Sequence, residues 1–189
     1  MPNYIRAHLP GSTVFFTVNA YCRRTIFLGS GFRTALRQAI QTTRQEKPFE
    51  ILAWTLLPDH LHCIWRLPNE DDETSLRWSM IKRLVSKRVG KHYEKNEFLN
   101  QSRAKRNESS IWQRRFWEHH ITSQEDYTAH LNYCYMNPVK HGLVKSVKDW
   151  KYSTFHRDVR NCLYPIDWYS NDSYSIDFSF GESVRERTL

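Results

Sequence analysis

His60-Leu61-His62 lies inside the apolar run from Trp54 to Trp65. In a β-strand, residues two apart project from one face, so the two imidazoles would stand side by side and could chelate one divalent cation. Far downstream, Tyr133 and Asn137 are four residues apart, the spacing that stacks two side chains on one face of a helix. They offer a phenol and a carboxamide oxygen, and His130 and His141 fall roughly on the same side. If that helix face meets the strand face carrying the histidines, a metal site results. It has two nitrogen ligands, one oxygen ligand and open positions for a phosphate oxygen and water. Mixed ligation of this kind suits Mg²⁺ or Mn²⁺, although imidazole also accepts zinc. A free phenol has a pKa near about 10 and attacks poorly at neutral pH unless cationic surroundings favour the phenolate. A metal on the scissile phosphate would polarise it and absorb the charge of the pentacovalent state. Attachment to tyrosine conserves phosphodiester energy, which strand transfer needs and hydrolysis does not.

The same residues admit a plainer reading: two strand histidines, half-buried helix tyrosines and a helix stop at Asn137-Pro138. Rival chemistries lack their signatures. There is no Gly-rich phosphate loop and no His-Glu-x-x-His helix, and a histidine-triad hydrolase would need histidine where Ile64 stands.

The elements that must position these residues can be read from periodicity. The β-branched and aromatic run 13–19 predicts a first strand. A helix over 30–46 carries Phe32, Leu36, Ala39, Ile40 and Thr43 at helical spacing, with Ser30 as its cap and Pro48 as its stop. Strands over 50–57 and 60–67 flank a Pro58-Asp59 turn, with Leu61, Cys63 and Trp65 on one face and His60, His62 and Ile64 on the other. A long helix over 74–91 has Leu76, Met80, Leu84 and Val85 as its apolar stripe. The polar stretch 96–110 reads as a loop, and 116–121 as a fourth strand. Ser123 to Asp126 forms a capping box that opens a helix running to about Met136, where Asn137-Pro138 ends it. The order β-α-β-β-α-β-α predicts an α+β fold: a ferredoxin-like split β-α-β sandwich, an antiparallel sheet with helices on one face, plus an extra C-terminal helix and tail. Residues 1–150 would form the domain and 151–189 an extended tail lying on it.

Composition agrees with one domain. The chain has 189 residues, 40% apolar and 14% aromatic, and no stretch approaches a membrane span. Its four cysteines are scattered and no leader pattern opens the chain, which predicts a reducing, cytoplasmic setting with no disulfide framework. The net charge is +8, and from Arg77 to Arg106 ten Lys/Arg face two Glu. Such a body attracts polyanions, nucleic acid first among them. From Asp167 onward the balance reverses, with five acids against two Arg. This tail is expected to lie over the basic groove and restrain activity.

Three separated motifs, in order, carry a family resemblance. Pro58 to Trp65 (PDHLHCIW), Ile111 to His119 (IWQRRFWEH) and Tyr133 to Val144 (YCYMNPVKHGLV) resemble the REP-associated tyrosine transposases, single-tyrosine relatives of the HUH insertion-sequence transposases. Ser153 to Asp158 (STFHRD) adds to the likeness, which runs from about Phe15 to Trp168. The resemblance implies a bacterial single-strand DNA endonuclease and strand transferase acting on REP hairpins. It implies that His60 and His62 bind the metal with Asn137 as third ligand, and that Tyr133 forms a 5′-phosphotyrosine and releases a 3′-OH. Tyr135, two residues on, would face away. The hairpin foot would be read by the N-terminal region and the basic surface, through Arg6, Arg23, Arg24, Lys82, Arg83, Arg114, Arg115, Lys140 and His141. Insertion-sequence cousins are dimers that exchange tyrosine helices; a nucleoid-associated monomer is favoured here over a homodimer. Two other functions compete: a non-catalytic hairpin-binding module of ferredoxin-like fold, and a metal nuclease that uses water, with Tyr133 structural.

Overall fold

The computed structural model describes residues 9–95, 98, 105, 106 and 108–169. Strand β1 (Thr13–Asn19) leads through a short 3-10 turn (Tyr21–Arg23) to helix α1 (Ser30–Glu46). Strands β2 (Glu50–Leu56) and β3 (His60–Arg66) form a hairpin, followed by α2 (Thr74–Tyr93), β4 (Trp117–His120), α3 (Gln124–Lys140), a 3-10 turn (Val147–Asp149) and α4 (Phe155–Arg160). The sheet is antiparallel in the order β2-β3-β1-β4, the split β-α-β topology expected.

The two faces of β3 part as alternation requires. Leu61, Cys63 and Trp65 join Val14, Phe16 and Val18 beneath α1 and α2, while Ile64 joins Phe15 and Ala53 beneath α3. The two sandwich helices therefore share one face, and the extra helix covers the other.

Helix α2 is rotated from its expected register. Trp78, Ile81, Val85 and Val89 are buried, whereas Leu76 is 39% exposed. Both sets have helical spacing; what selects one is the surface beneath, where Trp65 stacks on Trp78 with centroids 4.4 Å apart. The same rotation buries Arg77 completely, held by Asp71 at 2.6 and 2.7 Å and by the carbonyl of Pro48 at 2.8 Å. One cation of the basic run is thus consumed inside the fold.

Helix α3 does not stop at Pro138. Ser123 caps its start as expected, its hydroxyl accepting from the Asp126 N–H at 3.1 Å. Its end is a Schellman turn at Gly142 (φ 66°), where Leu143 N–H reaches Pro138 O and Gly142 N–H reaches Val139 O, both at 2.9 Å. A proline in the last turn forfeits a single ladder bond, which the turn beyond it outweighs. Asn137 consequently stays helical, one turn above Tyr133. Ser30 likewise is the first residue of α1 rather than its cap, with Gly29 in the capping place.

Residues 151–169 are built in more tightly than an extended tail. Tyr152 and Thr154 bond the outer edge of β2 through Leu56 N–H and the Trp54 backbone, all at 2.9 Å. Arg157 clamps the carbonyls of Ile51 and Leu52 at the β2 bulge, and Phe155 enters the core beneath α3. Covering an edge strand in this way blocks pairing with other chains. Among the described residues no helix is long and apolar enough to cross a membrane.

Candidate active site

His60 and His62 project from β3 toward α3, their ring centroids 4.8 Å apart. Each has its Nδ1 occupied. Asp59 Oδ1 lies 2.7 Å from His60 Nδ1, and Thr17 Oγ1 lies 2.9 Å from His62 Nδ1 across the β1–β3 register. The Asp59 carboxylate accepts from His60 Nδ1–H, and with both Nδ1 atoms engaged each ring turns its Nε2 toward the site, the usual orienting arrangement for metal-bound imidazole. Burial, then the neighbouring His60 and His141, hold His62 well below the ordinary histidine value, so it is a neutral ligand at pH 7. His141, its centroid 5.1 Å from that of His60, is pushed down to about 4 by burial first and His60 second. Burial pulls Asp59 up, but the His60 bond and the Arg23 charge outweigh it and hold the carboxyl below its ordinary value.

Tyr133 and Asn137 arrive from α3. The Tyr133 ring centroid is 5.1 Å from that of His62, and the phenol side chain is 2% exposed. Asn137 is fully buried, close enough to His62 to bear on its protonation without a hydrogen bond of regular geometry. Among the described residues His62 Nε2 and both polar atoms of Asn137 have no hydrogen-bond partner. Such atoms normally cost about 1–3 kcal/mol each when buried unpaired. Three of them converging beside a tyrosine fit a cation held by His60 Nε2, His62 Nε2 and Asn137 Oδ1.

Tyr135 is excluded from this site. Its hydroxyl donates to Asp158 Oδ2 at 2.5 Å, and burial, then that bond, raises its pKa far above the ordinary value. It ties α3 to α4.

The expected DNA-contacting residues divide into two groups. Lys140 and His141 border Tyr133 and His60; Lys140 Nζ lies 5.2 Å from the Tyr133 ring centroid. Arg23 is also here, but its guanidinium is engaged by Asp59 at 2.8 Å and Asn19 at 2.8 Å, so it braces His60 through Asp59. Arg24 bonds the Ser110 carbonyl at 3.2 Å and lies over Phe98. Lys82, Arg83, Arg114 and Arg115 line a groove of about 970 Å³ between α2 and the segment before β4, beyond the sheet from Tyr133. Arg6 and the acidic residues of 170–189 lie outside the described residues, as does most of the loop 96–107.

Sequence reasoning missed Asp59, Thr17 and Phe15. Asp59 reads as a turn residue, Thr17 as a β-former, and Phe15, stacked 5.5 Å from His62, as core. The one available signal was the face-sharing of Thr17 with His62, which needs the strand pairing to be known.

Residues 13–133, the sheet and the helix as far as the tyrosine, match the family described as Transposase IS200 like. The class is thus that of IS200-like transposases, and close relatives narrow it. A REP-associated tyrosine transposase of Escherichia coli (strain K12) is 45% identical over 97% of this chain and 99% of its own length. A Haemophilus influenzae relative is 43% identical over 93% of this chain and 98% of its own. A solved structure of a REP-associated tyrosine transposase bound to a REP hairpin superposes with a TM-score of 0.79 at 46% identity, covering 97% of this chain and 99% of that one. The chain belongs to the REP-associated tyrosine transposases.

Proposed function

We propose that this transposase is a metal-dependent endonuclease and strand transferase for single-stranded DNA carrying REP-type hairpins, with Tyr133 as its nucleophile. The observation that carries the reading is the convergence of unpaired, buried His62 Nε2 and Asn137 on the ring of Tyr133. His60, His62 and Asn137 would hold Mg²⁺ or Mn²⁺, which supplies Lewis-acid polarisation of the scissile phosphate. Asp59 and Thr17 hold the two imidazoles in orientation through Nδ1, and Arg23 holds Asp59. Lys140 places a positive charge against the Tyr133 ring, where it offsets phenolate character as the hydroxyl proton departs. The Tyr133 oxygen forms a bond to phosphorus, the bond from phosphorus to the 3′ oxygen breaks, and that oxygen takes up a proton to become a free 3′-OH. The strand on the 3′ side of the break stays on tyrosine through its 5′ phosphate, as a phosphodiester, and attack by another 3′-OH reverses the step.

Hairpin DNA as the partner is supported by the hairpin-bound relative and by the basic groove between α2 and β4. The meeting of His60, His62, Tyr133 and Asn137 within one chain supports a monomer as the working unit. Incubation with end-labelled hairpin DNA and Mn²⁺ tests the reading. The wild type should give a denaturation-resistant DNA adduct and Tyr133→Phe none. Cleavage persisting in Tyr133→Phe would assign attack to water, and hairpin binding without cleavage under either metal would leave a binding module.

A further inference from the structure

Phe15 separates the site just described from a second group of ligand-type side chains. On its far side lies His130, 4.9 Å away between centroids and 1% exposed. His130 Nδ1 is 2.8 Å from Asp126 Oδ1, and His119 Nε2 is 2.9 Å from Asp126 Oδ2. The two imidazoles lie flat on each other, 4.4 Å apart at 12°. One ligand atom from each of the three residues falls within 4.8 Å of the others. We propose that His119, Asp126 and His130 form a second metal site, specific for a late first-row dication such as Zn²⁺.

The donor chemistry supports it. Two imidazoles and one carboxylate, with a solvent position left over, are the ligand set of zinc and non-haem iron centres. With metal–nitrogen bonds of about 2.1 Å, the ligand atoms of a tetrahedral ion stand about 3.4 Å apart. Ligand atoms that lie within 4.8 Å of one another therefore close by up to about 1.4 Å on binding, within the reach of side-chain rotation. Asp126 is already oriented by the Thr122 N–H at 2.9 Å and by the capping turn at Ser123. His119 is 38% exposed on its side chain, which leaves an entry path and room for water as the fourth ligand. Binding through His130 Nδ1 would move that ring's proton to Nε2 and give up its 2.9 Å bond to the Asp126 carbonyl.

The three residues come from β4 and the first two turns of α3. An ion there would pin the helix that carries Tyr133 to the sheet, three residues before the nucleophile. It would do so through two imidazoles and a carboxylate, a donor set of zinc centres.

The test is a count of bound zinc. Chelator-treated wild type and His119→Ala are each equilibrated with Zn²⁺, dialysed, and analysed for metal per chain. His119 is partly exposed, so its removal leaves the core intact, and circular dichroism in chelator verifies that. His119→Ala should bind one ion per chain fewer than wild type, whatever number the catalytic site holds. In Co²⁺-loaded protein it should lose one set of visible absorption bands. Equal zinc content and unchanged Co²⁺ spectra in the two proteins would overturn the assignment.

Discussion

Asn137 is the residue whose replacement should move stability and function in opposite directions. Its side chain is fully buried with both polar atoms unpaired, so in the metal-free protein it costs stability. Leucine has the same branching and the same number of heavy atoms, so Asn137→Leu removes the unpaired groups without a new cavity. At about 1–3 kcal/mol for each buried orphan, less some misfit of a slightly larger side chain, the net gain is about 2 kcal/mol. For a chain of this size that is a rise of about 4–8 °C in Tm, measured in chelator. Saturating Mn²⁺ should reverse the order. Ligand at about one hundred times its Kd stabilises the wild type by about 2.7 kcal/mol, whereas loss of the third ligand weakens metal binding about tenfold or more. Asn137→Asp should do the converse, lowering Tm in chelator through a buried carboxylate and retaining the Mn²⁺ shift. Differential scanning calorimetry with and without Mn²⁺ reads both effects. A lower Tm for Asn137→Leu in chelator, or a Mn²⁺ shift equal to wild type, would refute the reasoning: Asn137 would then be a satisfied structural amide.

Thr17→Val removes the partner of His62 Nδ1 while keeping the side-chain shape, and should weaken Mn²⁺ binding about tenfold in a calorimetric titration with the fold retained. Tyr135→Phe should keep full adduct formation on hairpin DNA yet lose about 1–3 kcal/mol in urea melts, since Asp158, 3% exposed, loses its phenol donor. Asp71→Asn leaves the fully buried Arg77 uncompensated and should cost about 3–5 kcal/mol. The Arg77 hydrogen bond holds Asp71 below its ordinary 3.8, so this stabilisation is complete above that value and fades as pH falls through the lower folded one. Acid titration of Tm should show the wild-type advantage over Asp71→Asn shrinking in that range; a constant gap would contradict it.

How far the site could be read from the chain depends on the range of each interaction. The pairing of His60 with His62, and of Tyr133 with Asn137, rests on strand and helix periodicity, which are local. The capping box at Ser123 is local too. The rotation of α2 was beyond reach, because Leu76–Met80–Leu84 and Trp78–Ile81–Val85 are equally periodic and only contact with Trp65 chooses between them. The end of α3 was misplaced for a related reason: Pro138 is a local stop signal, but Gly142 four residues later provides a stronger one. Charge was the least legible property. Arg77 and Arg23 look like surface cations in a basic chain, and each is spent on a carboxylate within the fold.

The sequence by itself determined which chemistry the chain could perform. Residue type and spacing put two imidazoles on one strand face and a phenol and carboxamide on one helix face, because backbone geometry alone sets those directions. The tertiary structure decided that the two faces meet, since that depends on α3 covering the side of the sheet left open by α1 and α2. It also decided which nitrogen of each histidine faces the site. Asp59 and Thr17 fix that choice across a turn and a strand pairing, and such bonds have no signature in sequence. Helix geometry turns Tyr133 and Tyr135 to different faces, but that one face meets His62 and the other Asp158 is decided by the surfaces packed around the helix.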